Sequence, residues 1–285
     1  MAEFKIITPT NAELDINDNP YFSLVEITNQ TFFDSSTYTF TNSSTDGSIV
    51  NYMSVNPRQL TFTVIVKPQV DVEDAKRYLF KNLKPKQNHK IIWERNNRTL
   101  TINGKFESAS FPRWSKQVKG QLSFYCESPF WESDENIIQI ISDTIPTHYF
   151  TDDPNDMLYF YDEGIVMGEY DAARVGVYEN DGDVETPLLL EIHALDVVTN
   201  PVISLNNTYN YIGIDDTLQA GDIVTITTQN GNKDMRKNGV SVLNKIKQGS
   251  SFLKLALGTN TFTLSCDDDA TDNAYLVVSY KNQYV

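Results

Sequence analysis

The 285-residue sequence predicts a mainly β protein of two modules: an N-terminal β-rich module with one packed helix, and a C-terminal antiparallel β-sandwich. Three observations predict it. Short runs of alternating β-branched and aromatic residues recur along the chain, the period-two signature of half-buried strands. One segment alone, residues 71–84, places apolar residues at helical spacing instead. The charge is also split. Residues 1–130 carry 15 Lys and Arg against 13 Asp and Glu, a net of +2; the remainder carries 8 against 25, a net of −17, and together these give the chain's −15. Such a split argues for two modules in different environments, or facing each other.

Taken in order, TFTVIVKP (61–68) is a strand ended by Pro68. DVEDAKRYLFKNLK (71–84) is the helix: Asp71 can cap it, Asp74 sits three residues on as in a capping box, and Val72, Ala75, Leu79 and Leu83 form its apolar stripe. HKIIWERNNRTLTINGKFESAS (89–110) reads as a hairpin turning at Asn96-Asn97, with a further strand past Gly104. GQLSFYCESPF (120–130) alternates again and stops at Pro129. The first module is placed at 1–132.

The second module is placed at 133–285. Its first part, 133–186, is acidic, aromatic and poor in regular period, and is read as a connecting or inserted segment. From Thr186-Pro187 eight short strands follow at close spacing, from LLLEIHA to AYLVVSY, which indicates a sandwich or jelly roll. Within them, GDIVTITTQNGNKDMRKNGV (221–240) could suggest a ligand-cradling glycine loop. A phosphate loop needs a helix after the turn, however. Here β-rich sequence follows, and Asn230-Gly231 and Asn238-Gly239 are hairpin signals. The stretch is therefore read as two successive hairpins.

Composition excludes several classes. Hydrophobic content of 40% and charged content of 21% suit a folded chain rather than a disordered one. No apolar run is long enough to span a bilayer, and MAEFKIITPT lacks a signal-peptide core, so no membrane partner is expected. Cys126 and Cys266 are too few for a disulfide framework or a zinc site; both are read as buried strand thiols of a protein made in a reducing cytoplasm. His89, His148 and His193 are scattered, with no second ligand at metal spacing, and His193 is read as a strand residue. Asp267, Asp268 and Asp269 lack the spacing of a calcium loop. No nucleophile, Walker loop or zinc-protease motif is present. The reading is therefore no catalytic residues, no cofactor, no metal, and no assigned ligand residue. The basic stretch from Arg58 to Lys119 contains Trp93, Phe106, Phe111 and Trp114, but in strand patterns where core packing is the default; no nucleic-acid specificity is expected.

The strand–helix–hairpin order through DVEDAKRYLFKNLKPKQNHKIIWERNNRTLTINGKF, closed by GQLSFYCESPFWES, resembles the N-terminal domain of the distal tail proteins of long-tailed, non-contractile phages. NDGDVETPLLLEI, NPVISL, DDTLQAGDIVTITTQNGNKDMRKNGV, QGSSFLKLALGTNTFTLSC and AYLVVSYKNQY, in that order, resemble that family's galectin-like sandwich. The resemblance implies a structural virion protein: a homohexameric ring, first domains around a channel and sandwiches outward. The ring would join the tail tube protein to the tail tip or baseplate and its receptor-binding proteins. Residues 1–132 are then expected to hold the ring-forming surface, with Lys76, Arg77, Lys81 and Lys84 on one candidate helix face, and 187–285 to fold alone. The alternative is a carbohydrate-binding module that attaches to cell-surface glycans. Against it, no tryptophan follows Trp131, so a stacking platform would have to be a tyrosine. VNPR (55–58) and WERNNR (93–98) echo galectin sugar signatures but fall in the first module, and are read as coincidence.

Overall fold

The computed structural model describes residues 3–17, 19–30, 34–41, 46–95, 98–112, 118–141, 143–145, 169–171, 175–267 and 273–285. It divides into two units, residues 1–134 with 283–285, and residues 135–282.

The first unit contains β1 (Glu3–Ile7), β2 (Glu13–Asp15), β3 (Phe22–Thr28), β4 (Ser35–Phe40), β5 (Ile49–Val55), β6 (Arg58–Val66), α1 (Val72–Asn82), β7 (Asn88–Arg95), β8 (Arg98–Ser110), β9 (Lys119–Cys126) and β10 (Trp131–Ser133). An antiparallel sheet runs β2-β1-β7-β8-β9-β6-β3, with β10 pairing β8. Alternation selects the buried face: Leu60, Phe62, Val64 and Val66 on β6, His89, Ile91 and Trp93 on β7, and Leu122, Phe124 and Cys126 on β9. Aromatic rings fill this core. Phe62 meets Phe4 and Phe124 edge-on at 5.9 and 5.7 Å, Phe4 stacks on Trp93 at 5.8 Å, and Trp93 lies 5.4 Å from Trp131. The helix adds Ala75, Leu79 and Leu83. Its start is capped by Asp71, whose carboxylate accepts from the Glu73 N–H at 2.7 Å rather than from the residue-74 amide that a capping box would use.

The expected break at Gly104 does not occur: β8 runs unbroken for 13 residues. A Cβ at Gly104 would lie 2.9 Å from Cys126 Sγ and 3.3 Å from Phe124 Cβ, so close strand packing, not a turn, calls for glycine. Gly104→Val is expected to destabilise the unit by about 1–3 kcal/mol through overpacking, read as a lowered melting temperature.

The second unit contains β11 (Ile137–Ile141), β12 (Asp143–Ile145), β13 (Glu169–Asp171), β14 (Val175–Asn180), β15 (Thr186–Ala194), β16 (Val198–Thr199), β17 (Val202–Leu205), β18 (Asn207–Gly213), β19 (Thr217–Leu218), β20 (Ile223–Thr227), β21 (Asp234–Lys237), β22 (Val240–Ser241), a short 3-10 turn at Leu243–Lys245, β23 (Lys254–Leu255), β24 (Gly258–Ser265) and β25 (Ala274–Tyr280). The last strand, β26 (Gln283–Tyr284), pairs β10 in the first unit's sheet. One sheet runs β11-β25-β15-β20-β21-β22, and a second runs β14-β24-β17-β18. Leu188, Leu190, Ile192, Val224, Ile226, Leu276 and Val278 from the first share a core with Tyr178, Ile203, Leu205, Ile212, Phe262 and Leu264 from the second. This is a β-sandwich. Two of its strands, β11 and β14, come from the stretch read as a connecting segment, because Ile137 and Tyr178 both pack on the core.

The β20–β21–β22 meander answers the question of the glycine stretch. Asn238 and Gly239 both have positive φ, 49° and 81°, and close a two-residue turn between Lys237 and Val240. The connection before it is longer, since Thr227 pairs Asp234. Asp222 locks the meander. Its carboxylate accepts from the Gln219 N–H at 2.8 Å and the Asn238 amide at 2.8 Å, and lies 2.9 Å from Lys237 Nζ. The Gln219 N–H, first among these donors, holds the Asp222 pKa down to about 2. A depressed folded-state pKa adds stability above the ordinary carboxylate value, which is lost as pH falls from 3.8 toward about 2. Asp222→Asn is therefore expected to lower the melting temperature at neutral pH and to remove this part of the acid dependence, measured by thermal melts between pH 7 and 2.

Candidate assembly interface

Strands β4 and β5 form a two-stranded sheet, paired to no other strand among the described residues. Each is a run of β-branched and aromatic residues, so the segment forms strands readily. Yet Tyr38, Phe40, Ile49, Val50, Tyr52 and Met53 are each more than half exposed, and Tyr38 stacks on Tyr52 at 6.0 Å within the hairpin. An isolated two-stranded hairpin is marginal in water, and a contiguous set of exposed large apolar side chains marks an interaction surface. From Asp34 to Asn56 only Asp34 and Asp46 carry charge, so the surface is close to neutral. We call it the arm.

The arm's root is buried and polar. Arg58 is 2% exposed. Its Nε donates to Pro129 O at 2.6 Å, and its Nη1 to Asn29 O and Gln30 O at 3.2 and 2.5 Å. Trp131 Nε1 donates to the same Gln30 carbonyl at 2.9 Å. On the returning side, Asn56 N–H donates to Asp34 O at 2.8 Å, and the Ser36 hydroxyl donates to the Asn56 side chain at 2.8 Å. The Asn29 amide also reaches Gln59 O at 3.1 Å.

The residues weighed from sequence are not brought together. His89 is buried on β7, its Nδ1 2.9 Å from Gln87 O, and burial lowers its pKa. His193 lies on β15 as read, stacked on Tyr275 at 4.7 Å, with Nε2 3.6 Å from Glu191. His148 lies outside the described residues, as do Asp268 and Asp269. Asp267 accepts from the Asn200 amide at 2.7 Å and lies 3.8 Å from Lys247. Among the described residues, no group of His, Cys, Asp and Glu could hold a metal ion, and no helix is long and apolar enough to cross a membrane. Trp93 and Phe106 are core residues and Phe111 packs against that core, as expected; Trp114 lies outside the described residues. Burial pushes the Cys126 thiol up to about 12, which makes it inert. Cys266 departs from expectation: it follows β24 by one residue and is only half-buried. On the helix, Arg77, Lys81 and Lys84 are exposed, while Lys76 is half-buried and pairs Glu73 at 2.9 Å.

Residues 181–284 match the family described as siphovirus-type tail component, C-terminal domain. The sequence matches none of the curated proteins compared with it. The crystal structure of the phage SPP1 Dit protein (gp 19.1), described as a paradigm of the hub adsorption apparatus in Gram-positive infecting phages, aligns over 99% of both chains at 14% identity, with a TM-score of 0.66. A chain of the phage p2 baseplate in its activated conformation with Sr aligns over 99% of this chain and 98% of its own at 11% identity, but its TM-score of 0.49 is too low to carry an argument. The resemblance to the distal tail protein family is thus met on two counts: residues 181–284 match the siphovirus-type tail component C-terminal domain family, and the chain shares the fold of a Dit protein along nearly its whole length.

Proposed function

We propose that the protein is a structural component of a siphophage tail: a subunit of a homohexameric ring that joins the tail tube protein to the tail tip or baseplate and its receptor-binding proteins. Its role is architectural rather than catalytic. It is made in the bacterial host cytoplasm and resides in the virion. The family match and the shared fold support the tail assignment, and the arm carries the assembly reading. An apolar, near-neutral hairpin exposed to water is matched to a second copy of the same chain, where it can be covered without bringing like charges together. A contact between unlike patches of identical subunits closes into a ring when its rotation closes. Residues 1–132, near neutrality, hold the ring-forming surface in this reading. The acid-rich sandwich, galectin-like in the resemblance, stays in water, where salt screens charge beyond about 8–10 Å.

Light scattering across a concentration series, with and without tail-tube and tail-tip proteins, is the direct test. A ring-sized mass is expected in at least one condition. A monomer throughout, which also joins neither partner, would sink the proposal. The same reading gives the sandwich no tight sugar site. On a glycan array the intact protein is expected to show no micromolar binding, and a saccharide bound at that strength would favour the carbohydrate-binding alternative.

A further inference from the structure

The arm's large side chains are exposed, so its placement is decided at the root. There the chain leaves the sheet after β3, at Asn29 and Gln30, and returns at Asn56 into β6. Arg58 spans that exit. One planar guanidinium binds the carbonyls of Asn29 and Gln30 on the outgoing segment and of Pro129 beyond β9, while the Trp131 indole holds the Gln30 carbonyl from another side.

Stability alone is a poor reason for this arginine. Among the described residues its hydrogen-bond acceptors are neutral carbonyls, no carboxylate is paired with it, and its Nη2 has no partner. Taking a cation out of water is costly, and buried charges can often be replaced by apolar residues of similar volume without loss of stability. Burial correspondingly lowers the Arg58 pKa. What a guanidinium supplies and an apolar side chain cannot is direction: a rigid planar fork whose N–H groups fix several acceptors at once. Lysine keeps the charge but, as a point donor on a flexible stem, cannot hold three carbonyls in a plane.

We propose that Arg58 is the positioning residue of the arm, a clamp that holds Asn29 and Gln30 in place and so sets the direction in which the hairpin leaves the first unit, with Trp131 as its second jaw. This rests on the reading of the arm as the contact to a second copy, but the clamp itself is a property of one chain and is tested there.

The test is a distance measurement by pulsed electron resonance on the full chain, at a concentration where it is monomeric. Spin labels are attached at Thr39→Cys in the arm and Thr99→Cys on β8, in a Cys266→Ser background; both label positions are exposed, and buried Cys126 stays unlabelled. The parent is expected to give a narrow distance distribution. Arg58→Lys is expected to broaden or shift it, as is Trp131→Phe, which keeps most of the ring but removes the N–H. A structural role alone would lower the melting temperature without moving this distance in chains that remain folded. Distributions for both variants that match the parent at a temperature where all are folded would overturn the proposal. Should Arg58→Lys fail to fold, Trp131→Phe decides by the same criterion. Because no ring is needed for the readout, failure of the clamp and failure of ring assembly are separate results.

Discussion

Replacing Tyr38, Phe40, Tyr52 and Met53 together by serine is expected to abolish self-association while leaving the melting temperature nearly unchanged. All four are more than half exposed, so folding buries little of them. Surface substitutions of that kind usually fall within about 0.5 kcal/mol of neutral. Assembly would remove the same side chains from water, and interface anchors are drawn from large aromatic residues of this type. If each anchor is worth about 1–2 kcal/mol, losing four weakens the contact by roughly a thousandfold or more, since 1.4 kcal/mol is tenfold in affinity. Sedimentation velocity on parent and variant across the same concentrations is the check. A variant that assembles as the parent does removes the arm from the interface. One that melts early shows the arm to be part of its own unit's core, which overturns the reading as well.

The arm was not legible from sequence, and the reason is physical. Strand patterns are read from alternation, and alternation arises when one face meets a core and the other meets water. IVNYMSV is exposed along nearly its whole length and carries apolar residues without the phase that would assign a face, while TYTF within SSTYTF alternates over four residues only. Core elements behave in the opposite way. RQLTFTVIV alternates cleanly because Leu60, Phe62 and Val64 are buried, and the helix stripe of Ala75, Leu79 and Leu83 was equally plain. The role of Arg58 was hidden for a related reason. In the sequence it is only the first residue of the basic stretch; the tertiary arrangement alone brings Asn29, Gln30 and Pro129 around it. Gly104 failed differently, since a glycine chosen for close packing against Cys126 is indistinguishable in sequence from one chosen for a turn.

The sandwich shows how local reading misplaces a dependence. Sequence alone suggests that 187–285 folds by itself, because the regular strands begin there. The structure predicts otherwise: that fragment is expected to be unfolded or aggregated, while 135–282 is expected to melt cooperatively. Cutting at 187 removes β11, which pairs β25 from Ile137–Tyr280 to Ile141–Leu276, and β14, which pairs β24 from Val175–Thr263 to Asn180–Gly258. The edges of the two sheets then pass to β25 and β24, longer strands that were paired on both sides, and a long bare edge is a template for aggregation. The core loses Tyr178, 2% exposed, whose ring packs edge-on against Phe262 at 5.1 Å, and the Tyr280 hydroxyl loses its acceptor, the Glu179 carbonyl at 2.8 Å. The Asn180 amide, which donates to Val184 O and Leu255 O at 3.1 Å each, goes with them. Removing one large buried aromatic side chain costs about 3–5 kcal/mol, against a total stability of about 5–15 kcal/mol for a domain. The added loss of two strand ladders and a buried amide exhausts what remains. Circular dichroism melts of the two fragments provide the measurement. A cooperative, reversible transition of 187–285 at a temperature close to that of 135–282 would show that β11 and β14 decorate the sandwich rather than complete it.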